Sequence, residues 1–249
     1  MKRTLPPTLR SLLRGLSTVL ITAGLLLLID AAVTLLWQEP VSAFLAQQQQ
    51  DRLSKELKQT EQAAPTALQR NALSALPSLD LRLAFLARSL KRDTKEGGPL
   101  GRIRIRKIGA NFVIVKGTNT DDLTKGPGVY DTTALPGVPG TTAIAGHRTT
   151  YLAPFRHIDE LDKNDTIEVD LPYGRFTYAV EKRIIVDPHA LWVTHKVGHD
   201  RLVLTACHPL YSAAQRIVVM ARLAHVEPRG TAAEGTETQT LVDKAPGLS

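Results

Sequence analysis

What most limits the fold of this chain is the string of short apolar stretches, each closed by a turn signal, that fills its second half. RIRIRK at 102–107 alternates strictly, with Ile103 and Ile105 on one face, and 112–115 follows the turn Gly109-Ala110-Asn111. Further strands are expected at 141–145, 166–170, 175–186, 202–206 and 216–223. The turns between them come from Leu135-Pro136-Gly137, Lys163-Asn164-Asp165 and Pro172-Tyr173-Gly174. Many short strands with Pro and Gly turns, and few helices, require an all-β barrel or sandwich. Gly97-Gly98-Pro99 marks the entry to this unit, which is expected to occupy 97–226.

The first half reads differently. Residues 1–15 are basic, and 16–37 form an apolar segment of the length, about twenty residues, that crosses a hydrocarbon layer of roughly 30 Å. Its one charge, Asp30, costs about 2.5 to 3.5 kcal/mol, which the surrounding Leu, Ile and Val offset at about 0.3 to 0.6 kcal/mol each. Lys2, Arg3, Arg10 and Arg14 precede it, so the positive-inside rule puts the N-terminus in the cytoplasm and everything after Trp37 outside. A cleavable signal peptide, cut near Ser42-Ala43 or Leu45-Ala46, is the alternative, but its apolar core spans only about 7 to 15 residues.

Residues 38–96 show helical spacing in Phe44, Leu45, Leu53 and Leu57 and again in Leu79, Leu83, Leu86 and Leu90, with Pro65 and Pro77 as breaks. They are expected to form a helical stalk that holds the barrel away from the bilayer. The polar stretch 227–249 is expected to be a disordered tail.

The formal charge of +7 raises the question of nucleic acid, yet no basic helix and no interleaved aromatics accompany it. Nucleic acid is therefore not expected as a partner. A single cysteine, Cys207, excludes an intrachain disulfide. On its own such a residue is usually a small buried hydrophobe.

Its surroundings argue otherwise. Cys207 stands where the run Leu202-Val203-Leu204 ends, and Arg216 opens the run Ile217-Val218-Val219. Strands joined by so short a loop lie side by side, which brings the guanidinium back towards the sulfur. A permanent cation there lowers a thiol pKa from about 8.5 and can hold a carbonyl oxygen as it gains charge. His147 closes the strand 143–145 after Gly146 and is the candidate proton carrier. His208 adjoins the thiol, but neighbouring strand residues point to opposite faces. His189, His195 and His199 fall in a segment that Pro188 and Gly198 mark as loop, so no metal is expected; the acidic pairs Asp121-Asp122 and Asp159-Glu160 suit helix starts and surface.

The residues L-T-A-C at 204–207, the arginine nine positions on and A-x-A-G-H at 143–147 together resemble a sortase, a cysteine transpeptidase. HRTTYLAPF, IDELDKNDTIEV and CHPLYSA are most similar to class E sortases of actinobacteria, over about 103–223. Where that family has T-L-x-T-C, Val203 and Ala206 replace the two threonines. The resemblance implies an eight-stranded β-barrel in which 187–200 is the long loop bordering a substrate groove.

It further implies that Cys207 attacks a C-terminal sorting signal, L-A-x-T-G or L-P-x-T-G, between Thr and Gly on an exported protein. The thioacyl group then passes to the amine of a lipid-linked cell-wall precursor. His147 would move the proton and Arg216 would bind the carbonyl oxygen or position the peptide. Tyr151, Ala206 and His208 would contact substrate, Ala206 through its backbone N–H. No cofactor is implied. A thiol peptidase on the same barrel, a pilus-assembling class C-like sortase and a non-catalytic stalked wall-binding module remain as alternatives. No class C lid motif, second membrane segment or L-x-x-T-G signal near the end of the chain is seen, so anchoring of other proteins is expected in preference to pilus assembly or a role as cargo.

Overall fold

The computed structural model describes residues 7–36 and 40–233. Helix α1 (Pro7–Leu36) is long and apolar enough over Ser11–Val33 to cross a membrane and buries none of that stretch against the rest of the protein. It begins earlier than the pattern at 16–37 suggested; Trp37 lies outside the described residues.

Eight strands close into a barrel. They are β1 (Pro99–Ile105), β2 (Ala110–Lys116), β3 (Gly128–Val129), β4 (Thr141–Ala145), β5 (Thr166–Leu171), β6 (Gly174–Val186), β7 (Arg201–His208) and β8 (Gln215–Pro228), in the spatial order β1-β2-β3-β4-β7-β8-β6-β5. This is the eight-stranded barrel that the resemblance implied. All but β3 were legible in the sequence, with one shortening: β1 stops at Ile105, and Arg106–Ile108 turn as a 3₁₀ helix closed by Gly109 at φ 65°.

The pleat sorts side chains between two apolar clusters. Leu202, Leu204 and Ala206 of β7 join Ile217, Val219 and Ala221 of β8 in the barrel interior. Val203, Val218 and Met220 face outward, under a cover formed by Tyr130, Ala190 and Val193. The outer face is thus buried by loops.

Where a helical stalk was expected, helices α2 (Pro40–Gln62), α3 (Ala67–Ser74) and α4 (Leu79–Asp93) precede the barrel, and α2 and α4 pack on it. Leu53 and Leu57 of α2 pack on Val113 and Val115 of β2, and Leu83 and Ala87 of α4 belong to the main core together with Leu135. The helical spacing was legible, but not what it faces: each apolar stripe is buried against the barrel wall, which removes it from water. Residues 227–232, expected to belong to the tail, are part of the fold. Strand β8 runs on to Pro228 and Ala232 is buried in the core, because β6 offers a paired edge as far as Gly174 opposite Pro228. Residues 234–249 lie outside the described residues.

Docking of α2 repairs a gap in the sheet. Strand β3 pairs with β2 only at Val115 and Lys116, so the edge of β2 has no strand beside it at Val113. Gln50, 6% exposed, takes that place. Its Oε1 accepts from Val113 N–H at 2.7 Å, and its Nε2 donates to the carbonyls of Val113 at 3.1 Å and Lys125 at 2.7 Å. Leaving such buried backbone groups unpaired costs about 1 to 3 kcal/mol. Gln50→Leu, which keeps much of the volume and removes the amide, is therefore expected to lower the unfolding free energy by that amount in chemical denaturation. An unchanged midpoint would show that the seam needs no partner.

Candidate active site

Strand register places the sequence-predicted residues. On β7 and β8, Cys207 and Arg216 are direct partners, and on the far side of β8 Arg216 is opposite Val186, the last residue of β6. On the near side β4 runs parallel to β7 with Ala145 opposite Thr205, and Gly146 adds a bond to the Thr205 carbonyl at 3.0 Å. Two residues further along this ladder stand His147 and Cys207. The barrel thus presents His147, Cys207 and Arg216 at one end, on neighbouring strands. Val203 and Val218, which share a strand face with Cys207 and Arg216, belong to the outer cluster.

Local structure fixes the histidine. A Cβ at Gly146 would come within 2.5 Å of the Phe155 ring, so glycine lets the chain pass that buried aromatic. Beyond it Tyr151, Leu152 and Ala153 adopt left-handed conformations, φ 50°, 63° and 41°, at about 1 to 2 kcal/mol each. Such strain persists only where surroundings over-determine it. Here Phe155 N–H donates to the His147 carbonyl at 3.0 Å and Ala153 N–H to that of Thr150 at 2.8 Å. The turn folds Tyr151 back until its ring lies 5.2 Å from that of His147. The imidazole is half-buried, and its Nε2 is enclosed without a hydrogen-bond partner among the described residues. Burial pushes its pKa below the ordinary value, because the charged form loses hydration.

Cys207 is a free, half-buried thiol. Arg216 donates through Nη1 to the carbonyls of Ala213 and Gln215, both at 3.0 Å, which turns its guanidinium into the β7–β8 loop. Ala206 and His208 do not line the groove with their side chains. Ala206 is 3% exposed in the barrel interior, because it alternates with Cys207 across the pleat; it can offer substrate only its backbone. His208 faces Arg148, whose Nη1 lies 3.4 Å from its Nδ1, so the ring is committed away from the thiol.

Sequence reasoning missed three residues. Tyr130, just after β3, bonds its hydroxyl to that of Thr205 at 2.9 Å, two positions before the cysteine. Arg148, 3% exposed, reaches the Arg156 carbonyl at 3.1 Å and the Asp159 carboxylate at 2.7 Å, and so ties down the loop after His147. Arg201 donates from below the β6–β7 loop to the carbonyls of Val193 and His195, both at 2.9 Å. Only Arg148 had any signal, its place beside His147. Among the described residues no three His, Cys, Asp or Glu side chains gather as a metal site. His199 is 3.6 Å from Glu181, and Asp159 and Glu160 pair with Arg148 and His157.

The buried His147 makes stability depend on pH. With the folded pKa below the unfolded one, the unfolded chain takes up the proton first as pH falls through about 6.5, and stability drops below that point. The stability advantage of the wild type over His147→Gln is expected to be larger at pH 8 than at pH 5.5 in urea titrations. An equal difference at both would mean that burial does not hold the ring neutral.

With this geometry in view, comparison with known proteins is informative. The family described as Sortase domain matches residues 103–224. Sortase D of Bacillus subtilis is 39% identical over 122 residues, which cover 49% of this chain and 59% of that protein. Sortase SrtE1 of Streptomyces coelicolor is 28% identical over 94 residues, 34% of this chain and 27% of its own length. The chain thus spans less than two thirds of either relative. The crystal structure of sortase E1 from S. coelicolor, with a tripeptide in its active site, superposes with a TM-score of 0.52 at 25% identity, over 57% of this chain and 95% of that one. Barrel, strand order and matched sequence agree over the same residues, and it is this part of the chain, 103–224, that matches the Sortase domain family.

Proposed function

We propose that the protein is a membrane-anchored cysteine transpeptidase that cleaves a C-terminal L-[AP]-x-T-G sorting signal between Thr and Gly and joins the exported protein to the amine of a cell-wall precursor. The observation that carries this reading is the row across the strand ends: Cys207 in register with Arg216, and His147 at the tip of the strand beside them. The tripeptide in the active site of sortase E1 supports a peptide as the occupant of the groove.

In this reading neutral His147 accepts the thiol proton, and the sulfur of Cys207 attacks the Thr carbonyl carbon. The oxyanion is held by Arg216 and by backbone N–H groups beside the thiol. As the tetrahedral species collapses, the C–N bond breaks and the imidazolium gives its proton to the leaving Gly amine. The Thr carbonyl is then a thioester. An incoming amine attacks it, gives a proton to the neutral imidazole, and the thiol is restored. The enclosed Nε2 of His147, with no protein partner among the described residues, suits a proton carrier whose partner is substrate.

Tyr211 (58%) stands exposed in the β7–β8 loop at this end of the barrel, within reach of the Leu that opens the signal. Helix α1 serves as the anchor: with Lys2, Arg3 and Arg10 before the apolar span in the sequence, the barrel lies outside the cell. Unit 97–226 would be the catalytic domain, with 38–96 as helical support.

Full-length protein in detergent, given L-A-x-T-G and L-P-x-T-G peptides with a glycine-type amine, is expected to form a new amide with at least one of them. Cys207→Ala abolishes it, and Arg216→Ala lowers kcat by about 10²- to 10³-fold. Release of free acid alone, even at high amine, would make the protein a peptidase. Intact peptide throughout, with Cys207 alkylated no faster than a free thiol, would remove the catalytic reading altogether.

A further inference from the structure

Helix α4, outside the matched domain, ends on a side chain that reaches towards the site. Lys91 stands in its last turn, where the carbonyl ends of the helix favour a cation. Its Nζ leaves the helix and donates to three backbone carbonyls of one turn: Asp131 at 2.9 Å, Tyr130 at 3.3 Å and Thr133 by a short contact. An ammonium has three protons to give, so this turn takes them all. Asp131 and Glu96 lie near enough to favour the charge and Lys116 to oppose it, while burial draws the pKa below its ordinary value.

The clamped turn connects β3 to β4, and it is tied to both sides of the site. Tyr130 N–H donates to the Ala143 carbonyl at 3.0 Å and the Thr133 hydroxyl accepts from Ala143 N–H at 3.1 Å, so the turn is pinned to the strand that ends before His147. The same Tyr130 sends its hydroxyl 2.9 Å to Thr205, whose side chain shares a face of β7 with Cys207. Without a cation, those carbonyls would turn towards water and the tyrosine would lose the backbone hold that aims it.

We infer that Lys91 is a positioning residue for the active site: it fixes the 130–133 turn and, through it, places the Tyr130 hydroxyl on Thr205 beside Cys207. This rests on the cysteine chemistry proposed above. It makes α4 part of the working enzyme and not a spacer. A protein cut at residue 97 would retain the three proposed reacting side chains and lose the device that aligns their surroundings.

A double-mutant cycle tests it in the full-length protein, with two readouts: turnover of the sorting-signal peptides, and the rate at which iodoacetamide alkylates Cys207, which needs no peptide. Lys91→Met is expected to lower kcat/KM about tenfold, since small misplacements near reacting atoms carry costs of that order or larger. In a Tyr130→Phe background the same change should cost less than twofold, while lowering the melting temperature equally in both backgrounds. The alkylation rate should show the same non-additivity. Lys91→Gln replaces Lys91→Met in the cycle if the latter fails to fold.

Equal losses in the two backgrounds, or no loss in the wild type, overturn the inference and leave Lys91 a purely structural clamp. If the wild type turns over no peptide, the functional reading fails, and the alkylation cycle alone decides whether Lys91 acts through Tyr130.

Discussion

The parallel ladder between β4 and β7 is the constraint on which the rest of the structure depends. Five register pairs, from Thr141 opposite Arg201 to Ala145 opposite Thr205, join segments that are sixty residues apart in sequence. A parallel pair cannot be joined by a hairpin, and its evenly slanted bonds tolerate no slippage without turning side chains to the wrong face. Both strands are buried along this ladder, so a one-residue slip would drive Ile144 out of the interior and Ala143 into it. The penalty for that slip fixes the level at which the chain enters His147 on one strand and Cys207 on the other. The antiparallel β7–β8 pairing then sets Arg216 by the same rule. Site geometry is in this sense a by-product of core packing.

Strand register orders the floor of the site, but its walls are loops, which have no ladder of their own. Here they are held by cations on backbone carbonyls. Lys91 holds 130–133, Arg148 the loop after His147, and Arg201 the β6–β7 loop. Of these only Arg148 also meets a carboxylate, Asp159. A carbonyl is a dipole and not a counter-ion, so the desolvation of Lys91 and Arg201 is offset by several weak bonds and not by one ion pair; the downward pull on both pKa values reflects this. Carbonyls that face into a groove would otherwise be buried unsatisfied or would draw in water. One cation with several donors settles two or three of them at once.

How much of this could be read from the sequence follows from how local each feature is. The alternation at 102–105, the apolar runs on either side of Cys207 and the glycine before His147 are patterns within a few residues, and they yielded the strands and three candidate reacting side chains. Strand β3 escaped because two residues, Gly128 and Val129, show no period. Ala206 and His208 flank the thiol in sequence, and the pleat turns both side chains away from it, as the alternation of strand residues predicts. The stripe Leu79, Leu83, Leu86 and Leu90 announced a helix correctly; its partner, the 130–138 connection, is a contact that no local pattern encodes. Lys91 and Arg201 look in the sequence like any solvated cation, and Arg148 is marked only by its place beside His147. What distinguishes them is the set of carbonyls they meet, and that set exists only after folding.

The strained turn at 151–153 shows why such holds are needed. Three consecutive left-handed residues without a glycine among them store several kcal/mol by the usual cost per residue, on the order of 3 to 6 in all. The turn holds Tyr151 with its ring 5.2 Å from that of His147, whose pKa burial lowers. The strain is retained because the residues after the turn cannot move: Phe155 is buried in the core, and the Arg156 carbonyl is fixed by Arg148. In the role proposed for it, His147 must be poised between two states, so its environment has to be set more narrowly than packing alone requires. In this barrel a loop that would rather uncoil is kept bent by the core on one side and by a buried guanidinium on the other.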